Sequence, residues 1–175
     1  QGARAFYQGA IGRQIAAEMT ARGGLITLAD LARYRVVERP PVLGNYRGYQ
    51  IVSMPPPSSG GTHIVQMLNL LERYPLGEYG AGSAHGLHLQ AEAMKLAYAD
   101  RAEWLGDPDF SRVPVAGLTS RAYADQLAQG IDPDHARPAA EIRPGRPQPY
   151  EPEQTTHYSV ADGHGNAVAT TYSLN

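Results

Sequence analysis

The 175-residue sequence carries a formal charge of −2 and is 42% hydrophobic, enough apolar material for one compact domain. Its 15 Lys and Arg residues are dispersed and form no basic run, so no nucleic-acid partner is expected. The lack of cysteine removes disulfides and thiolate metal sites, and no apolar run reaches the ~20 residues that cross a bilayer. The sequence opens at Gln1 without an initiator Met and stops in a strand pattern with no turn signal after it, so it reads as an internal piece of a longer chain.

Ile11, Ile15 and Met19, with Ala16 beside them, recur at helical spacing before the stop signal Gly23-Gly24, which predicts a first helix. Thr27-Leu28-Ala29-Asp30 has the form of a capping box and should start a short helix through Tyr34. Pro40-Pro41 and Gly44-Asn45 punctuate the approach to Tyr46–Ser53, whose β-formers predict a strand. Pro55 to Gly61 then makes a rigid turn into a Gly-rich loop, and Ile64, Val65, Met67, Leu68 and Leu71 predict a helix behind it. Ser83 is placed to cap a long helix from about Ala84 to Trp104, with Leu87, Ala91, Met94 and Tyr98 along one apolar face. Thr119 is placed to cap a further helix that reaches Gln129, with Gly130 as its stop and a short helical turn at Asp132-Pro133.

Five prolines between Pro138 and Pro152, separated by polar residues, predict an exposed linker over about 138–154. Immediately after it, Thr155–Asp162 alternates like a strand, Gly163 to Asn166 is a turn, and Ala167–Tyr172 returns, which predicts a hairpin. Thr155 thus stands where a Pro-rich segment meets a strand. Scission of the Gln154–Thr155 bond would give it a free α-amine with a pKa of roughly 8, able to serve as base for its own hydroxyl. Alone, such a threonine is more often a β-former than a nucleophile.

The segment QTTHYSVADGHGNAVATTYSLN resembles the start of the small subunit of bacterial γ-glutamyltransferases. The upstream stretches GGLITLADLARY, YRGYQIVSMPPPSSGGTHIVQMLNLLE, AYADRAEWLGDP and EIRPGRPQPYEPEQ resemble that family's large subunit in the same order. Several long motifs in sequence are far more specific than one short pattern. The resemblance implies an α+β chain forming part of the αββα sandwich of the N-terminal nucleophile hydrolases. It divides the chain into large-subunit residues 1–154 and a small-subunit hairpin, 155–175.

By position, Thr155 matches the family's catalytic threonine and autocleavage residue, and Gln154 the last residue of the large subunit. Ser173 falls where the family has a second threonine that supports the nucleophile; serine keeps the hydroxyl and loses the methyl. Asn175 matches an asparagine that binds the amino-acid end of the γ-glutamyl group. The implied chemistry is γ-glutamyl transfer from glutathione and related γ-glutamyl compounds to water or to amino-acid or dipeptide acceptors through a Thr155 acyl-enzyme. The implied partner arrangement is a large/small subunit heterodimer after cleavage, without cofactor or metal, in the periplasm or secreted. The family's oxyanion-hole glycines lie beyond Asn175 and its substrate-binding arginine before Gln1, so residues 1–175 alone are expected to be inactive. The nearest alternatives are a cephalosporin-type acylase, a capsule transpeptidase, or a non-catalytic module.

Competing local readings are structural. The Pro55–Gly61 loop lacks the Gly-Lys-Ser/Thr signature of a phosphate cradle and is expected to cap the following helix. His63, His85 and His88 lack the spacing of a metal motif and are expected as ordinary surface or packed histidines. His157, two residues from Thr155, shares its strand face and is ranked as structural. Glu92, Asp100, Arg101 and Glu103 are expected as solvated helix charges.

Overall fold

Caps and tight glycines set most element boundaries in this chain. A computed structural model describes residues 2–151, 155–161 and 167–173, the last two segments as backbone alone. The chain divides into two units, Gln1–Arg39 and Pro40–Asn175.

The first unit holds α1 (Gly2–Tyr7), α2 (Ala10–Ala21) and α3 (Leu28–Arg33). The helix read from Ile11, Ile15 and Met19 is α2, and Gly23 at φ 71° follows its end. Thr27 forms the expected capping box: its hydroxyl accepts from the Asp30 amide at 3.2 Å, and the Asp30 carboxylate accepts from the Thr27 amide at 2.9 Å. Hydrogen bonds from the Thr27 side chain and backbone, then from Arg33, hold the Asp30 carboxyl at about 2. Close approach at Gly12 joins α1 to α2, since a Cβ there would lie 2.6 Å from the Phe6 carbonyl oxygen.

The second unit opens with a hairpin, β1 (Val42–Tyr46) and β2 (Tyr49–Ser53), paired from Val42↔Ser53 to Tyr46↔Tyr49. The sequence pattern predicted one strand over Tyr46–Ser53; the structure has two, reversing through Arg47 (φ 51°) and Gly48 (φ 85°) in a two-residue turn of the primed kind. Gly44, read as a breaker, lies inside β1 because a helix packs there: a Cβ would come within 2.6 Å of Val65 Cγ2. The turn is tied to the end of that helix, with the Arg47 amide donating to Glu72 at 2.7 Å.

The helix is α4 (Ser59–Leu71), capped by Ser58, whose hydroxyl accepts from the Gly60 amide at 3.1 Å. A side chain at Gly61 would strike the Met54 carbonyl and come within 2.9 Å of Val42 Cβ, so the Gly-rich loop serves as the joint that lets α4 lie on the hairpin. After the short α5 (Leu76–Tyr79), α6 runs Ala84–Trp104 with Ser83 as its cap, as expected.

The buried face of α6 differs from the expected one. Leu87, Met94 and Tyr98 are 54%, 45% and 55% exposed, whereas Leu89, Ala93, Ala97 and Asp100 are fully buried. Both stripes have helical spacing, but small Ala93 and Ala97 permit close helix packing and Asp100 finds donors beneath it. Glu92 and Asp100, expected as solvated charges, are accordingly 2% and 0% exposed.

Next come α7 (Val115–Leu118) and α8 (Arg121–Ala128). Ser120, one residue past the expected Thr119, caps α8 by accepting from the Tyr123 amide at 3.0 Å; Thr119 instead closes α7, donating to the Val115 carbonyl at 2.8 Å. The turn expected as helical at Asp132-Pro133 is an Asx turn, with the Asp132 carboxylate accepting from the amides of Asp134 at 2.8 Å and His135 at 3.0 Å. Leu70 of α4, Leu89, Ala93 and Leu96 of α6, Ala124 of α8, Ile131 and Ile142 form the core.

Ile142 belongs to the Pro-rich stretch, which is exposed at most positions yet is no free linker. It makes two 3-10 turns, Ala139–Glu141 and Gln148–Tyr150, and buries Ile142 and Pro147. The chain then forms β3 (Thr155–Ala161) and β4 (Ala167–Ser173), an antiparallel pair. The intervening turn expected at Gly163–Asn166 lies outside the described residues. Among the described residues no helix is long and apolar enough to cross a membrane.

Because Leu89 is fully enclosed by this core, Leu89→Ala should lower the unfolding free energy of the full-length protein by about 2–5 kcal/mol, read from urea denaturation.

Candidate active site

The β3–β4 ladder sets Thr155 directly opposite Ser173, at the open end of the hairpin, with Thr156↔Tyr172 and His157↔Thr171 following. Directly opposed residues in an antiparallel pair have Cα atoms about 4.5–5.5 Å apart. The backbone therefore brings together two of the four expected site residues. Gln154 and Asn175 lie outside the described residues.

The segment that leads to Thr155 is held by two buried acids of α6. Asp100 accepts three hydrogen bonds: from Gln66 Nε2 of α4 at 2.5 Å, from the Tyr123 hydroxyl of α8 at 2.7 Å, and from the Gly145 amide at 2.7 Å. Trp104 Nε1 donates to the Gly145 carbonyl at 3.2 Å, so one residue of the Pro-rich segment is gripped at both its amide and its carbonyl. Glu92, two turns earlier, accepts from the Arg137 amide at 3.3 Å and from Lys95 at 2.5 Å, and Lys95 also donates to the Arg137 carbonyl. Burial, then the hydrogen bond to Asp100, raises the Tyr123 hydroxyl far above the ordinary tyrosine range and keeps it a donor.

Beyond Gly145 the attachment continues. Pro147 is fully buried, the Tyr150 hydroxyl donates to Gln126 Oε1 at 3.0 Å, and the Gly117 amide of α7 donates to the Glu151 carboxylate. The segment is a strap fastened from Arg137 to Glu151.

His63 extends the network inward. Its Nδ1 lies 2.8 Å from Gln66 Oε1, and because the Gln66 amide nitrogen is committed to Asp100, that oxygen is the acceptor and Nδ1 carries the proton. In the neutral ring Nε2 is then a bare acceptor, buried and without a hydrogen-bond partner among the described residues. Burial lowers the His63 pKa, aided by the Arg101 charge and opposed by Gln66 and Asp100. His63 borders a cavity of about 90 Å³ between α4 and α6, also lined by Ser59, Tyr98 and Arg101. Small-molecule sites usually occupy about 300–1,000 Å³. His85 packs edge-on against Tyr79 at 4.4 Å, and His88 bonds the Asp132 carbonyl at 2.8 Å, so the three histidines do not converge. No three His, Asp or Glu side chains gather as a metal-binding group among the described residues.

A sequence profile described as gamma-glutamyltranspeptidase matches residues 1–175. The chain belongs to this family. It is 61% identical over 170 residues to a glutathione hydrolase proenzyme of Escherichia coli K12, an alignment covering 97% of this chain and 29% of that relative. The chain thus spans under a third of the length of this curated relative. In structure it is similar to the Helicobacter pylori gamma-glutamyltranspeptidase, with a TM-score of 0.73 and 49% identity over 82% of this chain and 41% of that one. It is also similar to a cephalosporin acylase from Bacillus halodurans, with a TM-score of 0.68 and 32% identity over 95% and 28% of the two chains. The expected fold class therefore holds: a mixed helix-and-sheet chain whose structural neighbours are of the N-terminal nucleophile hydrolase type.

Gly145, Tyr123 and Glu151 were not singled out by sequence reasoning, and Asp100 was read only as a solvated helix charge. One signal was available for Asp100: it continues the 89, 93, 96 helical register of the apolar stripe that turned out to be buried.

Because burial lowers the folded-state pKa of His63 below the unfolded value near 6.5, the folded state binds this proton less readily. That stability is present above about pH 6.5 and is lost as pH falls through the lowered folded pKa. His63→Gln in the full-length protein should flatten the acid side of the stability curve, measured as urea midpoint against pH; an unchanged slope would count against neutral burial of this ring.

Proposed function

We propose that this chain is the part of a γ-glutamyltransferase that surrounds its self-cleavage junction, with residues 1–154 ending the large subunit and Thr155 beginning the small one. The observation that carries the reading is the family match across the whole chain, and it supports taking Thr155, the first residue of β3, as the nucleophile. The register that opposes Thr155 to Ser173 supports the supporting-hydroxyl role assigned to Ser173. The word proenzyme in the name of the Escherichia coli relative agrees with a precursor that is cut.

In this reading the Thr155 hydroxyl oxygen bonds to the Gln154 carbonyl carbon while the C–N bond between them breaks and the nitrogen takes up the hydroxyl proton. Water then hydrolyses the resulting ester, leaving a carboxylate on Gln154 and a free amine and hydroxyl on Thr155. The same hydroxyl next attacks the γ-glutamyl carbonyl of glutathione or a related compound, its proton accepted by the α-amine, and releases the amine leaving group. Water, an amino acid or a dipeptide resolves the acyl-enzyme. Asn175 binds the amino-acid end of the donor, its side-chain carbonyl accepting from the ammonium. The remaining pocket is supplied by residues outside 1–175, so this piece alone turns nothing over. The two subunits remain associated after cleavage, and the protein works in the periplasm or outside the cell.

A second reading, an acylase of the same superfamily, is favoured by the similarity to the Bacillus halodurans cephalosporin acylase. Full-length protein assayed on γ-glutamyl-p-nitroanilide and on a glutaryl amide separates the two, and preference for the glutaryl amide would overturn the transferase reading.

Thr155→Ala should leave the full-length protein as one chain and abolish turnover, judged by mass spectrometry and release of p-nitroaniline. Ser173→Ala should slow both cleavage and turnover without abolishing them. Normal cleavage of the Thr155→Ala protein would sink the assignment.

A further inference from the structure

α7 begins with an uncapped helix end. Its N-cap is Pro114, which offers no side-chain acceptor, so the amides of its first turn need partners from elsewhere. Glu151 supplies one: its carboxylate crosses from the end of the strap and accepts from the Gly117 amide. Gly117 cannot be exchanged for a larger residue without loss of this fit, because a Cβ would strike the Pro147 carbonyl and come within 3.1 Å of Glu151 Oε1. Pro147, Gly117 and Glu151 thus form one joint.

We propose that Glu151 is a positioning residue for the cleavage before Thr155: by anchoring the strap to α7 it holds the junction within reach of its own nucleophile. This rests on the self-cleavage reading above. Glu151 is the last described anchor before the junction, and only Pro152 to Gln154 separate it from Thr155. Four Cα steps limit the Glu151-to-Thr155 separation to roughly 14 Å, however those residues run. On the other side, Thr155 enters the β3–β4 ladder at once. The bond to be cut is therefore a short span between two fixed ends, and fixing both ends lowers the entropy that must be lost to bring a hydroxyl and a carbonyl into attack geometry. Without the Glu151 anchor, the next described side-chain fastenings of the strap are those of Tyr150 and then Gly145, each further from Thr155.

Loss of the precursor of the freshly purified full-length protein, followed by denaturing gel and mass spectrometry, tests this. Glu151→Ala should slow cleavage about tenfold, the scale set by one charge-assisted hydrogen bond of modest exposure. Glu151→Gln, whose amide oxygen still accepts from Gly117, should restore most of the rate. Gly117→Ala keeps Glu151 but pushes the strap off α7, and should slow cleavage as well. In Thr155→Ala precursor, hydrogen exchange at the Gly117 amide should be slow with Glu151 and fast with Glu151→Ala. Wild-type rates in both Glu151→Ala and Gly117→Ala, or equal slowing in the Ala and Gln variants, would overturn the proposal. A wild-type protein that never cuts before Thr155 would instead overturn the self-cleavage reading, and the anchor's role with it.

Discussion

A buried carboxylate must find donors, and in this chain the demand of Asp100 organises the second unit. Its partners are a side-chain amide on α4, a phenol on α8 and a backbone amide in the strap, so three parts of the chain far apart in sequence converge on one side chain of α6. An unsatisfied group in this position would cost several kcal/mol, and a carboxylate is worse than a neutral one. The same demand fixes roles further out. Gln66, with its nitrogen committed to Asp100, presents only its oxygen to His63, and this determines which ring nitrogen holds the proton.

Glu92 and Asp100 lie two turns apart, about 12 Å along α6. One holds the start of the Pro-rich segment at Arg137, and the other its middle at Gly145. Prolines suit such a strap because they lack amides that would need partners and lose little freedom on being fixed. Fastened in this way, a stretch with few apolar side chains still has a defined course, one that carries the chain across the core to the threshold of β3.

The chemistry and the scaffold are divided unequally in this molecule. The proposed nucleophile and its supporting hydroxyl residue stand on one hairpin, whereas the described side chains belong to the apparatus that leads up to it. Helices α4, α6, α7 and α8 bear no reacting group in the proposed function; they present the strap.

The elements whose signals are local were legible from sequence. The Thr27 capping box, the Ser83 cap, the capping role of the Pro55–Gly61 loop, the ends of α6 and the final hairpin all depend on residues within a few positions of one another, and each was legible there. Membership of the family was also legible, through long motifs in order. What tertiary structure decided were the choices that local pattern leaves open. Periodicity offered two faces of α6, and packing selected the one with Ala93, Ala97 and Asp100, because small side chains let α4 approach and the acid had donors only there. Gly44 looked like a breaker until Val65 occupied the space beside it. The strap looked like a linker because its fastenings, at Asp100, Trp104 and Gly117, come from residues dozens of positions away, and no local pattern records a partner that only folding brings near.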